Sequence, residues 1–146
     1  MAIPFLGCMA LVASLYHLPP RVLPAIQAVE GGRPGLVSEN TDGSQDLGLM
    51  QVNTRWLGSL ARYSGLDKAV VRERLLSDAC FNIAASGLIL QTYWVEAHGD
   101  LMRAIGNYHS HTAPLHRAYR AQVVRSAGAL FGAKPGRTRR FGGRRI

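Results

Sequence analysis

A mainly α domain carrying one small β-hairpin is the fold class the sequence predicts, and three observations lead to it. Apolar residues recur at helical spacing along most of the chain. Capping and stopping residues punctuate those runs. Only one stretch, between Leu36 and Leu47, flanks an Asp-Gly turn with short apolar segments in the manner of a hairpin. With 146 residues, 47% of them hydrophobic, the chain is long enough to bury one compact core.

The elements follow in order. Gly7 to His17 reads as the first helix, stopped by Pro19-Pro20, and Pro20 is placed to open the second. That second helix runs to Glu30, where Gly31-Gly32 ends it. After the hairpin, Thr54 is placed to cap a helix to about Tyr63, broken by Ser64-Gly65, and Asp67 a short one to Leu76. Ser77-Asp78 starts the longest helix, in which Cys80, Ile83, Ala84, Gly87, Leu88, Gln91, Trp94 and Val95 keep a 3.6-residue period up to His98-Gly99. It is expected to be the central one. Asp100 caps a helix through Asn107, and Pro114 opens the last, with Leu115, Tyr119, Val123, Ala127 and Leu130 on one side.

Charge is concentrated at the end. The formal net charge is +8, but Lys134, Arg137, Arg139, Arg140, Arg144 and Arg145 contribute six of seventeen basic residues, leaving eleven against nine acidic ones elsewhere. The organisation expected is a domain over 1–131 followed by a basic, disordered tail over 132–146. For the body, so small an excess of charge argues against nucleic acid as a partner. The apolar run from Ala2 to Tyr16 is shorter than the ~18 residues of a membrane span, and it lacks the positive start and cleavage site of an export signal, so it reads as a first core helix. Cys8 and Cys80, 72 positions apart, suit either two buried thiols or a disulfide in an exported protein.

The chemistry concentrates between Glu30 and Asn53. Leu23 and Ile26 precede Glu30 at helical spacing, so the acid shares their inward face, in the last turn beside the negative end of the helix dipole. Partial burial and the dipole both disfavour its charged form and raise its pKa. An acid that keeps its proton near neutral pH can protonate a glycosidic oxygen. The hairpin Asn40-Thr41-Asp42-Gly43-Ser44 turns Asp46 back toward that helix end; Gly48 lets backbone approach closely, and Gln51 and Asn53 carry amides of the kind sugars bond to. Trp56 and Trp94 are large enough to stack on sugar rings, although aromatics at helical spacing usually belong to a core. His109, His111 and His116 match no compact zinc spacing, and neither a metal nor another cofactor is expected.

Glu30 followed by the run from Thr41 to Trp56, with Gly48-Leu49-Met50-Gln51 inside it, resembles the lysozyme superfamily, both the C-type lysozymes and the soluble lytic transglycosylase (SLT) domain. Gly-Leu-Met-Gln, the run from Ala104 to Ser110 and the cysteine pair are most similar to the small lytic transglycosylases that accompany conjugation and type III and IV secretion machines, over roughly residues 8–127. That resemblance implies an α+β lysozyme-like fold and a Cys8–Cys80 disulfide, worth ~4 kcal/mol by loop closure. It implies Glu30 as the single general acid and base cutting the β-1,4 bond between N-acetylmuramic acid and N-acetylglucosamine to leave 1,6-anhydro ends. Asp46, Gly48, Met50, Gln51, Asn53, Tyr108 and His109 then bind substrate or support the site, Tyr108 lying near the scissile sugar or holding Glu30. The implied partners are a peptidoglycan strand and a secretion or conjugation complex, the latter reached through the basic tail, and the implied place is the periplasm. Two alternatives remain open: a lysozyme-type hydrolase using Glu30 with Asp46, and a non-catalytic wall-binding assembly protein. The family usually has serine after the catalytic glutamate. Here Gly31 removes that hydroxyl, which puts efficiency rather than the identity of the acid in question.

Overall fold

A computed structural model describes residues 2–132, so the predicted tail, apart from Gly132, lies outside the described residues. Helix α1 is Leu6–Leu15, α2 Val22–Glu30, α3 Leu57–Ser64, α4 Lys68–Ser77, α5 Ala79–Glu96, α6 Leu101–His109 and α7 Ala113–Phe131. A small antiparallel sheet lies between α2 and α3 in the chain: β1 Val37–Glu39, β2 Gln45–Leu47 and β3 Val52–Asn53, in the order β1-β2-β3. This is a mainly α, lysozyme-like fold.

Helix α5 is central, packing against α1, α4 and α6. The expected period on it is only half the account. Ile83 and Gly87 are buried as predicted, but so are Asn82, Ser86, Ile89 and Leu90, whereas Val95 is 73% exposed. No residue from Phe81 to Gln91 is exposed, whereas Cys80, predicted on the inward face, is exposed in the first turn, and the helix opens to solvent again from Thr92 onward. Gly87 has a steric reason: a Cβ there would meet Val12 Cγ1 at 2.5 Å, so only glycine lets α1 approach this closely. The Cys8–Cys80 disulfide ties the same two helices, with Cα atoms 5.5 Å apart. No described helix is long and apolar enough by itself to cross a membrane.

The hairpin forms where the sequence places it. Gly43 adopts φ 89°, and Asp42 Oδ1 accepts from the Ser44 N–H at 2.9 Å, closing the turn. The structure adds β3, whose two residues are too few to show an alternating pattern. Register puts Asp46 opposite both Ser38 and Asn53. The sheet is joined to the helices through one buried side chain. Asn82 donates to the carbonyls of Leu47 and Leu75 at 2.8 Å each and accepts from the Met50 N–H at 2.8 Å. A buried amide so fully engaged satisfies three backbone groups, two from the sheet region and one from the end of α4.

Candidate active site

Between the foot of α2, the sheet and the end of α6 lies a cleft of about 620 Å³. Glu30, Asp46, Gln51, Trp56, Tyr108 and His109 are among the residues lining it. The two segments singled out in the sequence therefore meet across one groove, although about fifty mostly helical residues separate them in the chain.

Glu30 reaches the groove because α2 turns off immediately behind it. Gly31 takes the left-handed conformation, φ 68°, and its N–H caps the helix on the Gln27 carbonyl at 2.8 Å. A Cβ on Gly31 would meet nothing within 4 Å, so the residue is required for its backbone conformation, not for space. At Gly32 the reverse holds: an added Cβ would lie 2.6 Å from the Leu49 carbonyl oxygen and closer still to that of Gly48. The exit of α2 thus runs directly over the Gly48-Leu49 backbone, which brings Glu30 beside the sheet. Leu23 and Ile26, predicted to face inward with it, are fully buried.

Burial lifts the Glu30 pKa to about 7; the Tyr119 hydrogen bond works against this rise, and the charge of Asp46 adds to it. Tyr119 supplies the bond that the sequence left to Tyr108: its hydroxyl donates to Glu30 Oε2 at 2.8 Å. Tyr108 instead shares a hydrogen bond with the Ser86 hydroxyl at 2.7 Å, and its ring stacks on that of Tyr119 with centroids 6.3 Å apart. Burial, reinforced by the nearby Glu30 carboxylate, pushes both tyrosine hydroxyls upward in pKa, so both remain protonated. His109 also stacks on Tyr119, with ring centroids 4.7 Å apart, and burial lowers its pKa.

The remaining predicted residues take more specific places than the sequence suggested. Asn53 is not a free amide. Its Nδ2 donates to Asp46 Oδ1 and to Ser44 Oγ at 2.9 Å each, and its Oδ1 caps the next turn by accepting from the Arg55 N–H. It replaces Thr54 as the cap; Thr54 Oγ1 accepts from the Gln45 N–H instead. Gln51 lines the cleft with its amide bonded to the Gly48 carbonyl at 3.0 Å and to Ser38 Oγ at 2.6 Å. Met50 is wholly buried in the core and is not among the cleft-lining residues. Gly48, with φ 72°, makes room for a different neighbour from the one expected. A Cβ there would overlap the Leu75 carbonyl and approach Asn82 Nδ2 to 2.6 Å, so its small size serves packing.

Of the aromatics, Trp56 stands in the cleft, edge-on to Tyr93 at 5.9 Å, while Trp94 lines a separate hollow with Tyr16 and Gln91. Leu115, placed by its period on one side of α7 with Tyr119 and Val123, is 52% exposed and lines the cleft, whereas those two are buried. The histidines are dispersed. His111 pairs with Glu96 at 2.8 Å, and the His116 ring packs over Gly106, where a Cβ would collide with it.

Comparison with known proteins identifies relatives and a family. Invasion protein IagB of Salmonella typhimurium is 29% identical over 108 residues, covering 73% of this chain and 64% of that protein. Protein IpgF of Shigella sonnei is 29% identical over 116 residues, covering 77% of this chain and 72% of that one. The chain thus spans somewhat less than two thirds of the length of IagB. The family model described as the transglycosylase SLT domain matches residues 8–128, a span that runs from the first disulfide cysteine to beyond Tyr119, and the chain belongs to that family.

Proposed function

We propose that this protein is a peptidoglycan lytic transglycosylase, with Glu30 acting in turn as acid and base. The observation that carries the reading is a carboxyl group at the cleft floor whose pKa of about 7 keeps it substantially protonated at neutral pH. Tyr119 occupies Oε2 as a donor, so the transferable proton belongs on Oε1. Glu30 gives it to the bridging oxygen as the glycosidic bond breaks and positive charge develops at the sugar carbon. The resulting carboxylate takes the proton from the 6-hydroxyl of the same sugar, whose oxygen bonds to that carbon. The product is a 1,6-anhydro end, and Glu30 is protonated again. Tyr119 is a positioning residue here, and Trp56 offers a ring for a sugar to stack on.

Asp46 favours a second reading. It stands in the same groove, held by Asn53, where a lysozyme-type hydrolase needs a second carboxylate. Mass spectrometry of digested peptidoglycan separates the two: anhydro ends support the transglycosylase, and reducing ends refute it. Glu30→Gln keeps the shape but cannot donate the proton, and appreciable residual cleavage would remove Glu30 from the mechanism. The cell envelope is the place of action proposed, with the disulfide suited to an oxidising compartment. Local opening of the wall for a secretion or conjugation apparatus is the role, in keeping with a relative named an invasion protein.

A further inference from the structure

The cleft is strongly acidic for a site that is to hold an anionic polymer. Glu30, Glu39, Asp42 and Asp46 all line it, and among its described lining residues Arg55 is the one lysine or arginine. Arg55 lies two residues past the end of β3, its backbone N–H fixed by the Asn53 side chain at 2.9 Å, so its backbone is held by the same residue that holds Asp46. Its guanidinium has no carboxylate within salt-bridge distance among the described residues, leaving its donors uncommitted. The cation therefore lines the groove without a side-chain partner of its own among the described residues.

We propose that Arg55 is a specificity residue that binds a carboxylate carried by the glycan strand. The proposal rests on the glycan-cleaving reading above. A guanidinium presents two parallel N–H donors matched to the two oxygens of a carboxylate. Glu39, Asp42 and Asp46 disfavour an anionic substituent in this groove, and Arg55 is the one lysine or arginine among its described lining residues that attracts it. On peptidoglycan the carboxylate comes from one of two sources, the lactyl group of muramic acid or the peptide stem attached to it. A strand made of N-acetylglucosamine alone has neither.

The test uses the full chain carrying Glu30→Gln, so that ligands bind without being cut, with and without Arg55→Gln or Arg55→Lys. Calorimetric titration compares three tetrasaccharide ligands: N-acetylglucosamine only, the alternating muramic strand without peptides, and the same strand with its stems. Arg55→Gln is expected to lower the preference for a carboxylate-bearing strand over the neutral one roughly five- to tenfold, with Arg55→Lys in between and the difference shrinking at high salt. Selective loss on the peptide-free strand identifies the lactyl carboxylate, and selective loss on the peptide-bearing strand alone identifies the stem. Equal loss on all three ligands, or no loss on any, overturns the proposal. If the Glu30→Gln parent binds no glycan at all, the glycan-cleaving reading fails first, and this proposal fails with it.

Discussion

Replacing Glu30 by Gln should stabilise the protein, and by an amount that depends on pH in a defined way. Burial, partly offset by Tyr119 and reinforced by Asp46, raises the Glu30 pKa from the ordinary 4.5 to about 7. That rise corresponds to about 3 kcal/mol. Below pH 4.5 the carboxyl is protonated in both folded and unfolded chains, and its contribution to stability is fully present. Between 4.5 and 7 the unfolded chain has released a proton that the folded chain still holds, so each increase in pH favours unfolding. Above 7 the contribution is lost. Glutamine does not titrate, and its carbonyl can still accept from Tyr119, so the variant escapes the loss. The other ionisable groups are common to both chains and cancel in the difference. Melting curves followed by circular dichroism from pH 4 to 8, with the disulfide intact, should therefore show the two proteins close together at pH 4. The variant should then gain steadily to roughly 10 °C above pH 7. A difference that stays constant across this range would mean that Glu30 is not a buried acid with a raised pKa, and the proton-donor role would lose its physical basis.

Tyr119→Phe removes the bond that restrains the Glu30 pKa, so the acid should keep its proton longer. The alkaline limb of the pH profile for muropeptide release moves up by roughly one unit, with lower activity at the optimum; movement to lower pH contradicts the assignment. Asn82→Ala strands the Met50 N–H and the Leu47 and Leu75 carbonyls in the core, and urea unfolding should register a loss of ~3 kcal/mol or more. Gly32→Ala places a methyl group against two backbone carbonyls and should cost ~2–3 kcal/mol, whereas Gly31→Ala meets open space and costs only the ~1 kcal/mol of a left-handed backbone. Equal losses at the two glycines, measured by the same denaturation, would contradict the distinction drawn between them.

What the sequence made legible was local. The Gly-Gly stop fixed where α2 ends and hence where Glu30 stands, and Asp42-Gly43 announced its turn, because capping and turn chemistry act over a few residues. What it hid depends on partners far along the chain. Tyr119 lies 89 residues from Glu30 and sits at a buried helical position, so its period reads as core, and only the packing of α7 on α2 reveals its hydroxyl as the bond to the acid. Asn82 and Ser86 escaped for a related reason. A polar residue on an otherwise apolar helix declares itself buried only once the groups it satisfies are known, and those belong to the sheet, to the end of α4 and to Tyr108. Leu115 misled in the opposite direction. It keeps the period of α7 but precedes the point where that helix enters the core, and it comes to the groove rim instead.

The three bonds of Asn82 anchor one wall of the groove: they fasten the strand that carries Asp46, and the turn after it, to α5 and to the end of α4. Under the proposed function, a wall braced in this way would leave distortion of the sugar ring to the bound strand, driven by binding along neighbouring sugars.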